Sequence, residues 1–235
     1  MKCVLFFLTV FVSAASISQT ALSQEASKGK SLFDGSTLAG WSGVTGNWRV
    51  EDGAITGQSL SDAPLKNNTF LVYEKKVSDF ELSCEFKITG GNSGIQYRSK
   101  LVDKEKFIVG GYQADIDSEK DVKKNSFMGI NYEERGRGIL VERGQIISIE
   151  ADGKKAKVGS TGDSAALRSK VNLDGWNTYK IVAKGNVCQH FINGALMSEL
   201  HDNQADKRAA EGIIALQLHA GPPMKVQFKN IVLSE

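Results

Sequence analysis

The sequence has few cysteines and prolines and no excess of either charge. Three of its 235 residues are Cys and three are Pro, and 29 basic side chains against 27 acidic ones leave a net charge of +2. A chain of balanced charge, without a basic run interleaved with aromatic residues, gives no reason to expect a nucleic-acid partner. Linker-like, repeated and low-complexity segments are also lacking, which favours one domain.

A long hydrophobic run is lacking as well. The apolar stretch "VLFFLTVFV" follows Lys2, and the small residues "ALS" precede Gln24. This pattern is typical of a cleaved export signal, and the stretch is well short of the roughly 20 residues that cross a bilayer. We therefore predict a signal peptide over residues 1–23 and a single domain over 24–235. The mature chain is expected to be periplasmic or extracellular, with no integral membrane segment after cleavage.

Two cysteines remain in the predicted mature chain, Cys84 and Cys188. Export permits a disulfide, but two cysteines do not establish one. Cys84 alternates with apolar residues in "DFELSCEFKI", so we favour a buried free thiol.

Glycine, by contrast, is abundant and separates short apolar runs. The 24 glycines are spread along the chain, and the run "DFELSCEFKI" alternates apolar and polar residues as a strand with one buried face does. Turn pairs stand at Asp52-Gly53, Asp152-Gly153 and Asn193-Gly194, where hairpins are expected. The one helical candidate is "DNQADKRAAEG" at residues 202–212. The pattern predicts an all-β antiparallel sandwich.

Some strands have an unusual polar face. Because alternate residues of a strand share a face, three segments each present a small residue followed by polar ones. These rows are Gly94-Gln96-Arg98, Gly111-Gln113-Asp115 and Ala215-Gln217-His219, and His190 lies in a fourth strand. Amides, a carboxylate and imidazoles around small residues predict a concave site for a hydroxyl-rich sugar. Trp176 lines its rim or belongs to the core.

The order of several motifs resembles one bacterial family. "LFDGSTLAGW", "WRVEDG", "SDFELSCEFKITGGNSGIQYR", "GGYQADID", "GWNTYKIVAKGN", "HFING" and "ALQLHAG" followed by "VQFKNIVL" occur in register between about Lys30 and Leu233. Together they resemble the exported 3-keto-disaccharide hydrolases. The resemblance implies a concanavalin A-like jelly roll and cleavage of sugars oxidised to a ketone at C3, by hydrolysis or by elimination across C1 and C2.

The resemblance also implies which residues form the site. The positions that match the motifs of the family, and for which it implies a role in the site, are Asn92, Ser93, Gly94, Arg98, Tyr112, Gln113, Trp176, Asn177, His190, Asn193, Gln217 and His219. The commoner pattern has an acidic residue immediately before Tyr112, where this sequence has Gly111. If the acid has moved, Asp115, Glu133 or Glu134 takes its role. Gln96, from the polar rows, completes the predicted substrate-binding set.

Such a reaction needs a base, an electrophile and an acid. His190 or His219 suits the base, Arg98 or a divalent metal ion suits the C3 oxygen, and Asp115 or a neighbouring glutamate suits the acid if burial raises its pKa. Alternatively, the two histidines and Asp115 are metal ligands.

Two other functions remain open at this point. The same fold serves as a non-catalytic carbohydrate-binding module, and its concave face could also bind protein partners as a structural or adhesive domain. Two imidazoles beside an Arg and an Asp favour proton transfer over sugar binding alone. The enzyme hypothesis therefore requires His190, His219, Arg98 and an amide to meet in one hollow.

Overall fold

The computed structural model describes residues 29–121, 124 and 126–235. In this part of the chain seventeen strands and one short helix form. The strands are β1 (Lys30–Ser31), β2 (Trp41–Ser42), β3 (Trp48–Glu51), β4 (Ala54–Ser59), β5 (Thr69–Val77), β6 (Phe80–Thr89), β7 (Asn92–Asp103), β8 (Ile108–Asp117), β9 (Asn131–Glu134), β10 (Gly138–Val141), β11 (Gln145–Ile149), β12 (Lys155–Ser160), β13 (Asn177–Lys184), β14 (Val187–Ile192), β15 (Ala195–Asp202), β16 (Gly212–Leu218) and β17 (Met224–Ser234), and the helix is α1 (Ser164–Arg168).

The strands of the described chain build two sheets that pack face to face. The larger sheet has the order β12-β11-β15-β14-β13-β6-β17-β4-β3, with β1 added to β17, and the smaller has the order β10-β9-β8-β7-β16-β5-β2. Among the described pairs, β11 and β15 run parallel and the others antiparallel. The predicted all-β sandwich is confirmed, and its architecture is a jelly roll.

Alternation along the strands fills the space between the sheets. In β6 every second residue from Phe80 to Ile88 is buried, while Glu81, Ser83 and Glu85 are partly exposed. Strand β8 also turns alternate residues inward, since Tyr112, Ala114 and Ile116 belong to the core cluster, but its intervening Gln113 and Asp115 are buried as well. The opposite side of β8 therefore faces outward from the sandwich.

A second apolar cluster lies on that outer face of the smaller sheet. It contains Phe70 and Val72 of β5, Val109 of β8 and Ala215 of β16. The loop between β7 and β8 closes over it, and the backbone N–H of Phe70 donates to the carbonyl of Phe107 at 3.0 Å. This cluster anchors the loop beside the outer face.

The predicted turns are present, but the predicted helix is wrong. Residues 202–212 form the end of β15 and turns, and the helix instead spans Ser164–Arg168. Asp163 caps it by accepting a hydrogen bond from the N–H of Ala166 at 2.8 Å. The 202–212 segment has no apolar stripe to bury, and Asp202 is held at its start by Tyr112 and Arg137.

Both cysteines of the described chain are buried free thiols, as predicted. Burial raises the pKa of Cys84 to about 12 and that of Cys188 to about 11. Both therefore stay protonated at neutral pH. Because the thiolate is the reactive form of cysteine, both thiols are unreactive.

The predicted signal peptide lies outside the described residues. In the part of the chain that the structure covers, no helix has the length and apolar character needed to traverse a bilayer.

Candidate functional site

A cavity of about 340 Å³ opens on the outer face of the smaller sheet. Its floor comes from the adjacent strands β8, β7 and β16, and its sides come from residues near the start of β5, the segment before β9 and β9 itself. It is lined by Asn68, Asn92, Gln113, Asp115, Phe127, Tyr132, Glu134, Gln217 and His219. Two of the three polar rows thus contribute to the lining, with Gln113 and Asp115 from one and Gln217 and His219 from the other, while β7 contributes Asn92 in place of its predicted row.

A chain of side-chain hydrogen bonds runs across the floor. The hydroxyl of Ser99 donates to Oε1 of Gln96 at 2.6 Å, Nε2 of Gln96 donates to Oε1 of Gln113 at 2.6 Å, and Nε2 of Gln113 donates to Asp115. Each amide oxygen accepts and each amide nitrogen donates, so the orientation of Gln113 is fixed. Gly94 makes room for this chain, since a Cβ there would lie 2.6 Å from Cγ of Gln113.

Asp115, on the cavity floor, has the most strongly shifted pKa of the carboxyl groups that line the cavity. It is 4 % exposed, and burial raises its pKa well above the usual range, with the carboxylates of Glu134 and Asp117 acting in the same direction. The hydrogen bond from Gln113 opposes the shift without cancelling it. A carboxyl group whose pKa is raised keeps its proton to a higher pH than an exposed one, as a general acid requires.

Glu134 and His219 line the same cavity as Asp115. Burial raises the pKa of Glu134, while attraction to Arg135 and His219 and a hydrogen bond with Asn68 lower it. Asn68 also accepts the backbone N–H of Ala220 at 2.9 Å, which fixes the chain beside His219. The cavity therefore combines two carboxyl groups and one partly buried imidazole.

Two aromatic side chains of the cavity were not predicted. Phe127 is 42 % exposed, and Tyr132 is partly buried on β9. Both line the cavity and offer ring surface to the apolar face of a sugar. Tyr132 stands in the segment "NYEERGRGIL", beside two glutamates that sequence reasoning did select, whereas Phe127 follows no strand pattern.

His190, by contrast, does not reach the cavity. It is 0 % exposed and lies between the sheets, with its ring edge-on to Tyr97 and Tyr179. Its Nδ1 is 3.1 Å from the carbonyl of Ile130, and its Nε2 is 3.0 Å from the hydroxyl of Tyr97. The expected meeting of His190 with His219 is wrong, because His190 shares the inward face of β14 with Cys188 and Ile192.

Arg98 is also absent from the cavity. Its φ of +45° breaks the strand alternation, and the register of β7 against β8 shifts after Tyr97. The guanidinium is buried and donates to the carbonyls of Ser78 and Gly185, each at 2.7 Å, and to Asp79 at 2.8 Å. Arg98 thus joins loops at the edge of the sandwich and has no role at the C3 oxygen in this arrangement.

Other residues carried over from the resemblance have structural contacts elsewhere. Tyr112 is buried in the core and donates its hydroxyl to Asp202. The hydroxyl of Ser93 donates to the backbone carbonyl of Gln217 at 2.7 Å, which joins β7 to β16. Glu133 pairs with Arg137 at 2.6 Å.

Three of the predicted residues lie on the larger sheet or its turns. Asn177 accepts hydrogen bonds from the N–H of Asn172 and from the side chain of Asn193, which organises two adjacent turns. The ring of Trp176 is covered by the ammonium group of Lys229, 4.1 Å from the ring centroid. Neither the rim nor the core position expected for Trp176 is observed.

The possible metal site on His190, His219 and Asp115 does not form, since His190 is in the core. Over the described residues, no group of three His, Cys, Asp or Glu side chains is arranged to hold a metal ion.

Jelly-roll proteins with a polar cavity on one sheet include many that act on or bind carbohydrates. The structure resembles a carbohydrate-binding module, CBM66 from Bacillus subtilis, with 17% identity over 85% of this chain and 98% of that chain and a TM-score of 0.53. It also resembles a candidate glycosyl hydrolase from Parabacteroides distasonis, with 21% identity over 86% and 91% of the two chains and a TM-score of 0.54. A Bacillus subtilis protein with a galectin-like fold matches at 10% identity over 82% and 87%, with a TM-score of 0.53.

At these identities the likeness concerns the fold. No curated protein matches the chain. The family model for the 3-keto-alpha-glucoside-1,2-lyase-like domain matches residues 28–234. The chain therefore belongs to this family of carbohydrate-active domains.

Proposed function

We propose that the chain is an exported enzyme that cleaves 3-keto-glycosides. The meeting of His190, His219 and Arg98 that the sequence-based hypothesis required does not form. The proposal rests instead on Asp115, Glu134 and His219, which line one sugar-sized cavity, with the pKa of Asp115 raised by burial. Binding a sugar does not require a carboxyl group of raised pKa in the same cavity as an imidazole, whereas proton transfer does.

The chemistry follows from the ketone. A carbonyl at C3 acidifies the proton on C2, because the electron pair left behind is delocalised as an enolate. His219 takes this proton, the electron pair forms the C1–C2 double bond, and the C1–O bond breaks. Asp115 gives its proton to the leaving oxygen. Water then adds across the double bond: its oxygen bonds to C1 as Asp115 takes a proton from it, and the proton held by His219 returns to C2. The overall reaction is hydrolysis, and both side chains regain their starting states.

Glu134 acts on the base in this scheme. Its carboxylate attracts the imidazole of His219 and stabilises the imidazolium that forms when the C2 proton is taken. Gln113 is a positioning residue, since its Nε2 holds one oxygen of Asp115. No protein partner binds the other oxygen of Asp115 among the described residues, so it is available to the leaving group.

The experiment is incubation of the purified protein with 3-keto-trehalose or 3-keto-lactose, with and without a chelator, followed by chromatography. We expect loss of substrate by the wild type and none by His219→Ala. His201→Ala is the matched control, because His201 lies on the larger sheet with its Nε2 2.6 Å from Glu199. Turnover by His219→Ala at the wild-type rate would refute the assignment of the base.

A non-catalytic carbohydrate-binding module is the second candidate. It is favoured by the single imidazole in the cavity, since His190 is in the core, and by the exposed ring of Phe127. If 3-keto-sugars and their parent sugars bind but no substrate is lost under any metal condition, this second candidate replaces the enzyme.

Export rests on the amino-terminal sequence. Cleavage after Ser23 would leave a mature chain that begins at Gln24. Mass spectrometry of the protein from a bacterial periplasm or culture medium tests this, and an intact Met1 on exported protein would contradict it.

A further inference from the structure

Gln217 differs from the other glutamines of the cavity floor in having no partner for its side chain. It is 0 % exposed, and neither Nε2 nor Oε1 has a hydrogen-bond partner. Gln96 and Gln113, on the neighbouring strands, are joined in the chain that ends at Asp115. The backbone of Gln217 is fixed, because its carbonyl accepts the Ser93 hydroxyl at 2.7 Å.

Such an arrangement destabilises the free protein. Buried polar atoms are almost always hydrogen-bonded, and each one left unpaired carries a desolvation penalty. A Met side chain of similar length would fill the same space without that penalty. Unpaired polar groups of this kind concentrate at functional sites, where a ligand supplies the missing partners.

The two amide atoms specify the chemistry of the missing partner. The amide nitrogen only donates and the amide oxygen only accepts, so together they fit an acceptor next to a donor. On a sugar oxidised at one carbon, the ketone oxygen only accepts, and the hydroxyl on the adjacent carbon donates. An unoxidised sugar has a hydroxyl at both positions, and the proton of the first hydroxyl then needs an acceptor that Gln217 does not provide.

We propose that Gln217 recognises the oxidised carbon of the substrate, with Nε2 donating to the ketone oxygen and Oε1 accepting from the neighbouring hydroxyl. This inference rests on the proposed function and assigns the position that Arg98 does not fill. The same donor stabilises the negative charge that develops on the ketone oxygen as the enolate forms. Gln217 is one of the residues that line the cavity, together with His219 two residues along the chain, so a ligand bound there meets this part of the lining.

The test is Gln217→Met, measured both for stability and for binding. Since Met removes two unpaired buried polar atoms, we expect the Tm of the ligand-free protein to rise by roughly 3 to 8 °C. A fall in Tm, or failure to fold, would show that the amide is already satisfied in the free protein, and would overturn the inference.

Binding is measured by calorimetry with 3-keto-trehalose and with trehalose, in an Asp115→Asn background that prevents turnover. We expect Gln217→Met to weaken binding of the ketone about 100-fold or more, since a site built to hydrogen-bond a group discriminates strongly when the bond is lost. Binding of trehalose should change several-fold less. Equal losses for both sugars would mean that the amide binds any hydroxyl, and no loss would mean that it contacts neither; both results overturn the inference.

Gln58→Met is the matched control. Gln58 lies on β4 of the larger sheet, and its oxygen accepts from Arg49 at 2.7 Å at the surface, so this variant should bind both sugars as the parent does. If the parent protein itself binds no 3-keto-trehalose, the proposed function fails together with the inference. If it binds the ketone and Gln217→Met does not change this, the inference fails alone.

Discussion

Because the imidazole of His190 is buried, we expect it to make the free energy of unfolding fall as the pH is lowered. The imidazole is 0 % exposed. A consistent tautomer has Nδ1–H donating to the carbonyl of Ile130 and Nε2 accepting from the hydroxyl of Tyr97, which in turn accepts from Asn131 at 3.0 Å. Burial lowers the pKa of His190 from 6.5 to about 3, so the ring is neutral in the folded state.

The magnitude follows from the difference between the two states. An unfolded imidazole binds a proton below about pH 6.5, whereas the folded one does so only near pH 3. The contribution of the neutral ring is therefore fully present above pH 6.5 and is lost progressively as the pH falls towards 3. One pKa unit corresponds to about 1.4 kcal/mol. Between about pH 7.5 and about pH 5 the unfolded imidazole takes up a proton that the folded one does not, which lowers the free energy of unfolding by about 2 kcal/mol.

The assay is urea unfolding of the wild type and of His190→Gln at both pH values. A Gln side chain is neutral throughout and still offers one donor and one acceptor. We expect the stability advantage of the wild type over the variant to shrink by about 2 kcal/mol at the lower pH. The carboxyl groups of Asp115 and Glu134, whose raised pKa values act in the opposite direction, are common to both proteins and cancel.

Two results would refute this reasoning. One is an equal pH dependence of the two proteins, and the other is a His190 imidazole that NMR finds protonated at about pH 5 in the folded state. The same variant tests the role that the sequence suggested for His190. Because the ring lies in the core, sugar turnover per folded molecule should be retained in His190→Gln.

Two further predictions concern residues of β7. Arg98→Lys should lower the free energy of unfolding by roughly 2 to 4 kcal/mol, because an ammonium group cannot reproduce three hydrogen bonds from a buried guanidinium. Urea titration measures this loss. If turnover falls by more than the fraction of folded protein does, Arg98 acts in the reaction and its structural assignment is wrong. Gly94→Ala should displace Gln113, since its Cβ would lie 2.6 Å from that side chain. We expect it to weaken sugar binding about 10-fold or more, with a smaller effect on stability. Unchanged affinity in calorimetry would show that the position of Gln113 does not matter for sugar binding.

Strand alternation made most of the fold predictable. The period of two in "DFELSCEFKI" corresponds to the buried side of β6, and the same reasoning placed Gln113 and Asp115 on the outward face of β8. The alternation of side chains breaks at Arg98, where a positive φ and a register shift turn the side chain away from the face of Gln96. A left-handed residue inside a strand leaves no signal in a non-glycine sequence.

The misplacement of His190 has a different cause. In "VCQHFI" it alternates with Cys188 and Ile192, and both are buried, so the pattern already indicated the core. The chemistry of an imidazole suits a catalytic base but carries no information about which face of the strand it occupies. Phe127 lies in the connection before β9, where no periodicity applies, and its place at the cavity depends on tertiary contacts that a single sequence does not encode locally.

Alternate residues of strand β8 serve two different purposes, packing of the core and formation of the cavity. Tyr112, Ala114 and Ile116 fill the interior, and the intervening Gln113 and Asp115 form the cavity floor. Substitutions on one side can accumulate in evolution with little effect on the other. Loss or gain of one residue in the middle of this strand would exchange the two sides, turning polar groups into the apolar interior and Tyr112 towards the cavity, so replacement of single residues preserves the sandwich where a change in length does not.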